Sequence, residues 1–193
     1  MILIVGNYDS FVHNLARYVR EAGVETRVIR NDACAVRDCI DMAPAGVILS
    51  PGPKAPQDAG ICLELIAALP VSTPLLGVCL GHQCLVEALG GATVRAGEPL
   101  HGEASEIFHT GDGVFAGLRS PTLAGRYHSL IATPAANAPL RKTAWTEKGT
   151  IMGVSHIERP WHGVQFHPES VLTPDGRHMI SNFLSLCAQE AKQ

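Results

Sequence analysis

The residues best placed for chemistry lie in Leu75-Leu76-Gly77-Val78-Cys79-Leu80-Gly81-His82-Gln83. An apolar run with strand character leads straight into Cys79, and a helical pattern leaves it. Glycines stand two residues before and two residues after the cysteine. This is the strand–nucleophile–helix elbow with sulfur in place of a hydroxyl. Such a sharp turn strains the nucleophile's backbone, and side chains at the two flanking positions are expected to collide across it. The elbow also sets the sulfur at a helix N-terminus, where the dipole favours an anion. The N–H of Leu80 is directed into the same space and can donate to a developing oxyanion. Taken alone, the pattern fits a catalytic thiol and an inert core cysteine alike. A metal site from Cys79, His82, Cys84 and a distant histidine is the other chemistry open to it, but no second clustered pair of ligands occurs.

A cysteine nucleophile needs a base that also protonates the leaving group. Of the nine histidines, His167 has the most suggestive setting, in Gly163-Val164-Gln165-Phe166-His167-Pro168-Glu169-Ser170. A strand-like run ends at this histidine, and Pro168 restricts it to extended geometry. In an extended segment residues two apart share a side, so Glu169 is placed to accept a hydrogen bond from the imidazole. That would fix the tautomer and support an imidazolium. By itself His-Pro-Glu reads equally as a solvated loop.

A further donor is offered by Ser50-Pro51-Gly52-Pro53-Lys54-Ala55-Pro56, which follows an apolar run at the edge where open α/β sheets bind ligands. The prolines carry no N–H, so Gly52 is a conspicuous free donor. Alone, the segment is an ordinary proline-rich turn; beside Cys79 it offers a second oxyanion donor.

These residues need a scaffold, and the first half of the chain supplies one by alternating apolar runs with helical patterns. Strands are expected at 2–5, 25–29, 46–49 and 75–78. Asp9 and Ser10 are candidate caps for a helix through Leu15, Val19 and Ala22, stopped by Gly23. Asp58 can open a helix with Ile61, Leu65 and Leu69 on one face. Another runs from Leu80 to Leu89, closed by Gly90-Gly91. Repeated strand–helix–strand units imply an open, mostly parallel sheet with helices on both faces.

The second half gives shorter strand-like runs at 106–109, 123–130, 141–145, 151–156 and 163–166, with a hairpin turn at Glu147-Lys148-Gly149. They read as a mixed or antiparallel extension. A last helix, 177–191, carries Met179, Ile180, Phe183, Leu184 and Cys187 at helical spacing. No repeat or linker interrupts the 193 residues, so one α/β domain, 1–193, is expected.

Composition narrows the function classes. With 46% hydrophobic and 17% charged residues the chain can bury a core, and its net charge of −3 comes without a Lys/Arg cluster. Neither nucleic acid nor an anionic membrane is an expected partner. No apolar run approaches the roughly 20 residues that span a bilayer. The N-terminus lacks signal-peptide character. Six cysteines without a C-x-x-C pair form no disulfide framework and fit reduced thiols in a cytoplasmic protein.

The three segments Gly77-Val78-Cys79-Leu80-Gly81-His82-Gln83, Tyr127-His128-Ser129-Leu130 and Gly163-Val164-Gln165-Phe166-His167-Pro168-Glu169-Ser170 resemble, in that order and over the whole chain, the class I (triad-type) glutamine amidotransferases. Asn7-Tyr8-Asp9-Ser10-Phe11 with Asn14, and Ser170-Val171-Leu172-Thr173, are similar to the subgroup that serves chorismate-using synthases. The resemblance implies a flavodoxin-like amidotransferase fold. It implies Cys79 as nucleophile, completed by His167 and Glu169. It implies an oxyanion hole from the backbone N–H groups of Gly52 and Leu80. Gly52, Gln83, Ser129 and Leu130 would hold L-glutamine. The partner would be a chorismate-using synthase subunit, which receives ammonia and carries its own Mg²⁺; this chain would need no cofactor or metal. The product would be anthranilate or 4-amino-4-deoxychorismate.

Three residues depart from the subgroup pattern. Gly6 replaces Asp, Lys54 replaces Gly, and Glu103, after His101-Gly102, replaces Lys. All three are expected at or near the face that meets the partner. A cysteine hydrolase acting on other amides and a non-catalytic regulatory homologue are the competing readings.

Overall fold

The computed structural model describes residues 1–97, 100 and 102–190. The apolar runs of the first half form four parallel strands: β1 (Ile2–Gly6), β2 (Thr26–Arg30), β3 (Gly46–Leu49) and β4 (Leu75–Val78). Every residue of β1, β3 and β4 is buried, which is why these strands are continuous rather than alternating apolar runs.

Alternation instead decides which helices each residue meets. Ile2, Ile4 and Ile48 pack in one cluster with α1 (Val12–Glu21) and the C-terminal helix; Leu3, Val5 and Val47 pack in another with α2 (Val36–Asp41), α3 (Cys62–Ala68) and α4 (Leu80–Ala88). The sheet is thus covered on both faces.

The second half contributes β5 (Ala92–Arg95), β6 (Glu103–His109), β7 (Thr122–Arg126), β8 (Leu130–Thr133), β9 (Leu140–Thr146), β10 (Ile151–His156), β11 (Trp161–Val164) and α5 (Gly176–Glu190). The main sheet has nine strands in the order β2-β1-β3-β4-β11-β10-β9-β6-β7. β11 pairs parallel to β4 with Gly163 opposite Gly77 and Val164 opposite Val78, while β10, β9, β6 and β7 continue antiparallel. β5 and β8 form a separate antiparallel pair. The expected parallel sheet with a mixed extension is therefore one continuous sheet. Its seam, β4 beside β11, is where both candidate motifs leave their strands.

Several boundaries differ from the sequence reading. Neither Asp9 nor Ser10 caps α1: the cap position is Phe11, and Asp9 Oδ1 instead accepts the Phe11 N–H at 2.7 Å in a tight turn. Asp58 ends a short 3-10 turn, Pro56–Asp58, and α3 starts only after Gly60, whose φ of +55° breaks the path. The run 123–130 is two strands, β7 and β8, separated at Tyr127-His128-Ser129. α2 and β5 have no counterpart in the sequence reading. The end of the last expected helix, Ala191, lies outside the described residues.

Three of the six buried histidines among the described residues have their proton affinity pushed far down. Burial pushes His82 on α4 down to about 3, helped by His128; it pushes His128 down to about 4, helped by Arg126; and it pushes His162 on β11 down to about 4, helped by Arg141. All three are neutral when folded and free to protonate when unfolded. Their contribution to stability is therefore complete above about pH 6.5, the ordinary histidine value, and is lost as pH falls toward 4. His82→Leu should make the decline in unfolding free energy below pH 6.5 shallower by up to about 1.4 kcal/mol per pH unit, read from urea midpoints at successive pH values.

Candidate active site

β4 delivers the chain to Cys79 and α4 takes it away, and the turn between them is made by Cys79 itself, at φ +51° and ψ −101°. An L-residue holds such a conformation only when its surroundings over-determine it. Here Cys79 N–H donates to Val164 O at 2.9 Å, tying the elbow to β11, and Cys79 O accepts from Gln83 N–H at 3.0 Å. A Cβ on Gly77 would stand 2.4 Å from Gly81 O, so the expected collision across the turn is real on that side. On the other side the obstacle is different: a Cβ on Gly81 would stand 2.3 Å from Leu49 O, on β3. Both glycines are thus forced by contact.

His167 reaches the same place from β11. That strand ends at Val164, and His167 is pinned by its N–H to Gly125 O at 3.0 Å. His167 Nδ1 lies 2.7 Å from Glu169 Oε1, as the motif suggested, but not by way of an extended segment. The chain turns after His167, with Ser170 N–H donating back to His167 O at 3.2 Å, and the turn swings Glu169 under the ring. Thr173 Oγ1 donates to the same carbonyl at 2.6 Å and accepts from Gly125 N–H at 2.9 Å. The rings of Phe11 and Tyr127 meet the imidazole edge-on at 5.1 and 4.9 Å.

Cys79, His167 and Glu169 are 6%, 2% and 1% exposed. Burial disfavours a charged imidazole, yet the Cys79 side chain and Glu169 together outweigh it and raise His167 to about 10. His167 Nε2, the nitrogen not turned to Glu169, is buried without a hydrogen bond of normal geometry. The buried ring is thus biased toward its protonated form, oriented by a carboxylate, with the sulfur as its other polar neighbour.

The loop after β3 closes the site. Asn7 N–H donates to Ser50 Oγ at 2.9 Å and Asn7 Nδ2 to Ser50 O at 2.8 Å, clamping the loop to the end of β1. A Cβ on Gly52 would lie 2.4 Å from Asn7 Cβ and 2.7 Å from Leu80 Cδ2, so Gly52 and Leu80 are brought together. As the first residue of α4, Leu80 has an N–H with no partner four residues back.

Ser129 and Leu130 line a cleft of about 750 Å³ with Lys54, Ala55, Asp58 and Arg95. Gln83 is not on this wall. It is 3% exposed and sits behind it, its Nε2 donating to Leu130 O at 3.2 Å and to Gln165 Oε1 at 3.2 Å; Gln165 Nε2 in turn donates to Cys79 Sγ at 3.7 Å. Among the described residues no group of three or more His, Cys, Asp or Glu side chains could hold a metal ion.

The family model described as glutamine amidotransferase class-I matches residues 3–187. The chain belongs to the class-I glutamine amidotransferase family. It is 50% identical over 187 residues to anthranilate synthase component 2 of Azospirillum brasilense, covering 96% of this chain and 95% of that protein. It is 46% identical over 185 residues to aminodeoxychorismate synthase component 2 of Escherichia coli (strain K12), covering 95% and 99%. To the aminodeoxychorismate/anthranilate synthase component 2 of Bacillus subtilis (strain 168) it is 44% identical over 191 residues, covering 98% of each. Its fold matches the crystal structure of a protein described as a GMP synthase subunit, from Thermoplasma acidophilum, with a TM-score of 0.89 at 26% identity, covering 99% of this chain and 95% of that one.

Within this amidotransferase the three departures fall in different elements of the chain. Gly6 is buried at the end of β1. Lys54 is exposed and holds φ +69°, a left-handed position that favours glycine. Glu103 is exposed and opens β6, opposite Arg126; His101 lies outside the described residues.

Sequence reasoning missed Gln165, Phe11, Tyr127 and Thr173 as parts of the site. All four stand inside quoted motifs, but only the fold shows what they touch. The Glu169–His167 contact has a direct test. In Glu169→Gln the ring loses one of the two groups that raise it, so the His167 titration followed by NMR should move down by about two pH units.

Proposed function

We propose that this chain is the glutaminase subunit of a chorismate-aminating synthase. Cys79 is the nucleophile, His167 the acid and base, and Glu169 its orienter. Gly52 and Leu80 supply the oxyanion hole; Gly52, Gln83, Ser129 and Leu130 hold L-glutamine, with Gln83 acting from behind the Leu130 wall. The single observation that carries the reading is a strained, buried cysteine beside an imidazole that a buried carboxylate orients, with the cysteine and the carboxylate together raising the ring's proton affinity.

The chemistry follows from that arrangement. Cys79 sulfur attacks the carboxamide carbon, a C–S bond forms, and the carbonyl electrons move onto oxygen. The N–H groups of Gly52 and Leu80 take the oxyanion. As the C–N bond breaks, His167 gives its proton to the departing nitrogen, releasing ammonia and leaving a γ-glutamyl thioester. Water then attacks the thioester while His167 takes its proton, and glutamate leaves with the enzyme restored. Ammonia reaching bulk water would become unreactive ammonium, so the acceptor site belongs on a synthase docked over this chain. That partner adds the nitrogen to chorismate and holds its own Mg²⁺.

Relatives named for anthranilate synthase and for aminodeoxychorismate synthase match at similar identity, and one carries both names. Either product, anthranilate or 4-amino-4-deoxychorismate, fits these names. Residues 1–193 act as one amidotransferase domain. None of the described helices is long and apolar enough to cross a membrane, and all six cysteines are free. A cytoplasmic enzyme fits both.

Cys79→Ala should lower glutamine-dependent amination of chorismate by at least about a thousandfold in the assembled synthase, while amination from added ammonium salt stays within about twofold. Product formation with each nitrogen source is the measurement. Glutamine use that survives the substitution would remove Cys79 from the mechanism.

A further inference from the structure

A buried amide points at the nucleophile, and the triad leaves it unused. Gln165 is 0% exposed and follows β11. Its Nε2 is 3.7 Å from Cys79 Sγ, within the range of an N–H···S hydrogen bond. Amide orientation is an assignment that the surrounding bonds must settle, and here a backbone carbonyl settles it. Leu130 O can only accept, so the group of Gln83 beside it, at 3.2 Å, is the NH₂. That same NH₂ meets Gln165 at 3.2 Å, so the atom of Gln165 facing it is the oxygen. The remaining end of Gln165 is then a donor, and it faces the sulfur. Donor direction is thus imposed from β8 through two side chains onto Cys79.

We propose that Gln165 donates a hydrogen bond to the Cys79 thiolate, stabilising the ionised nucleophile and fixing the direction of its attack. The proposal rests on the amidotransferase reading and deepens it. A charged acceptor gains more from such a donor than a neutral thiol does. Both N–H groups of Gln83 are spent in the relay, on Leu130 O and on Gln165. Gln83 can therefore meet the substrate only through its oxygen, which requires a donor on the ligand. The titratable groups around the sulfur are His167 and, through it, Glu169; His128 faces His167, and His82 faces His128.

The test is the pH dependence of Cys79 alkylation by iodoacetamide, with and without L-glutamine, in the wild type, Gln165→Met and Gln165→Glu. Gln165→Met keeps the bulk and removes the donor. Its alkylation midpoint should rise by about one pH unit, and glutaminase kcat should fall about tenfold with KM within about threefold. Gln165→Glu is isosteric and sets carboxylate oxygen against the sulfur, so its midpoint should rise at least as far. It also carries the test if the Met variant fails to fold. Midpoints that stay at the wild-type value in the folded variants would overturn the role of Gln165. Wild-type Cys79 that glutamine does not protect from alkylation would count against the amidotransferase reading itself, whatever the midpoints do.

Discussion

The left-handed backbone at Cys79, φ +51° and ψ −101°, costs an L-residue about 1–3 kcal/mol, and the rest of the site is arranged around the means of holding it there. The turn requires that Gly77 and Gly81 have no side chains, because the first lies against Gly81 O and the second against Leu49 O. It requires β11 beside β4, because Cys79 N–H is satisfied by Val164 O. Insertion of β11 between β4 and the antiparallel strands is therefore more than a way of enlarging the sheet. It both locks the elbow and delivers Gln165 and His167 to the sulfur from the neighbouring strand end.

A second constraint is electrostatic. Glu169 is almost fully buried, and its Oε2 has no partner among the described residues. Its Oε1 meets His167 Nδ1, and the proton affinity of that ring is raised by the Cys79 side chain and by Glu169 together. Burying an ion pair is costly in itself, so this contact is weak evidence of a contribution to stability. Phe11 and Tyr127 pack edge-on against the ring, and Thr173 fixes the backbone that carries it. These contacts come from the start of α1, the end of β7 and the segment before α5, so the site draws on distant parts of the fold.

Much of this is legible in the sequence, for identifiable reasons. β1, β3 and β4 read correctly because buried parallel strands leave short continuous apolar runs between turn residues. The elbow reads correctly because glycine is the residue that tolerates such close backbone approach. α2 does not, since Val36–Asp41 is six residues long and buries only Val36 and Cys39. β5 is mostly exposed and carries little pattern. The His167–Glu169 contact is legible but its geometry is not, because Pro168 suggests an extended segment where the chain in fact turns. Gln165 is unreadable as a functional group. An amide in a strand-end run announces neither its direction nor its neighbour, and both are fixed by Gln83 and Leu130 from other parts of the chain.

The most direct measurement is of the covalent intermediate. The protein would be mixed with L-glutamine, quenched in acid on the millisecond-to-second scale, digested and analysed by mass spectrometry. The account predicts a γ-glutamyl adduct on the peptide containing Cys79, absent when glutamine is omitted and lost on exposure to hydroxylamine. Turnover of glutamine with the adduct on another residue, or with none trapped at any time point while ammonia accumulates, would contradict it.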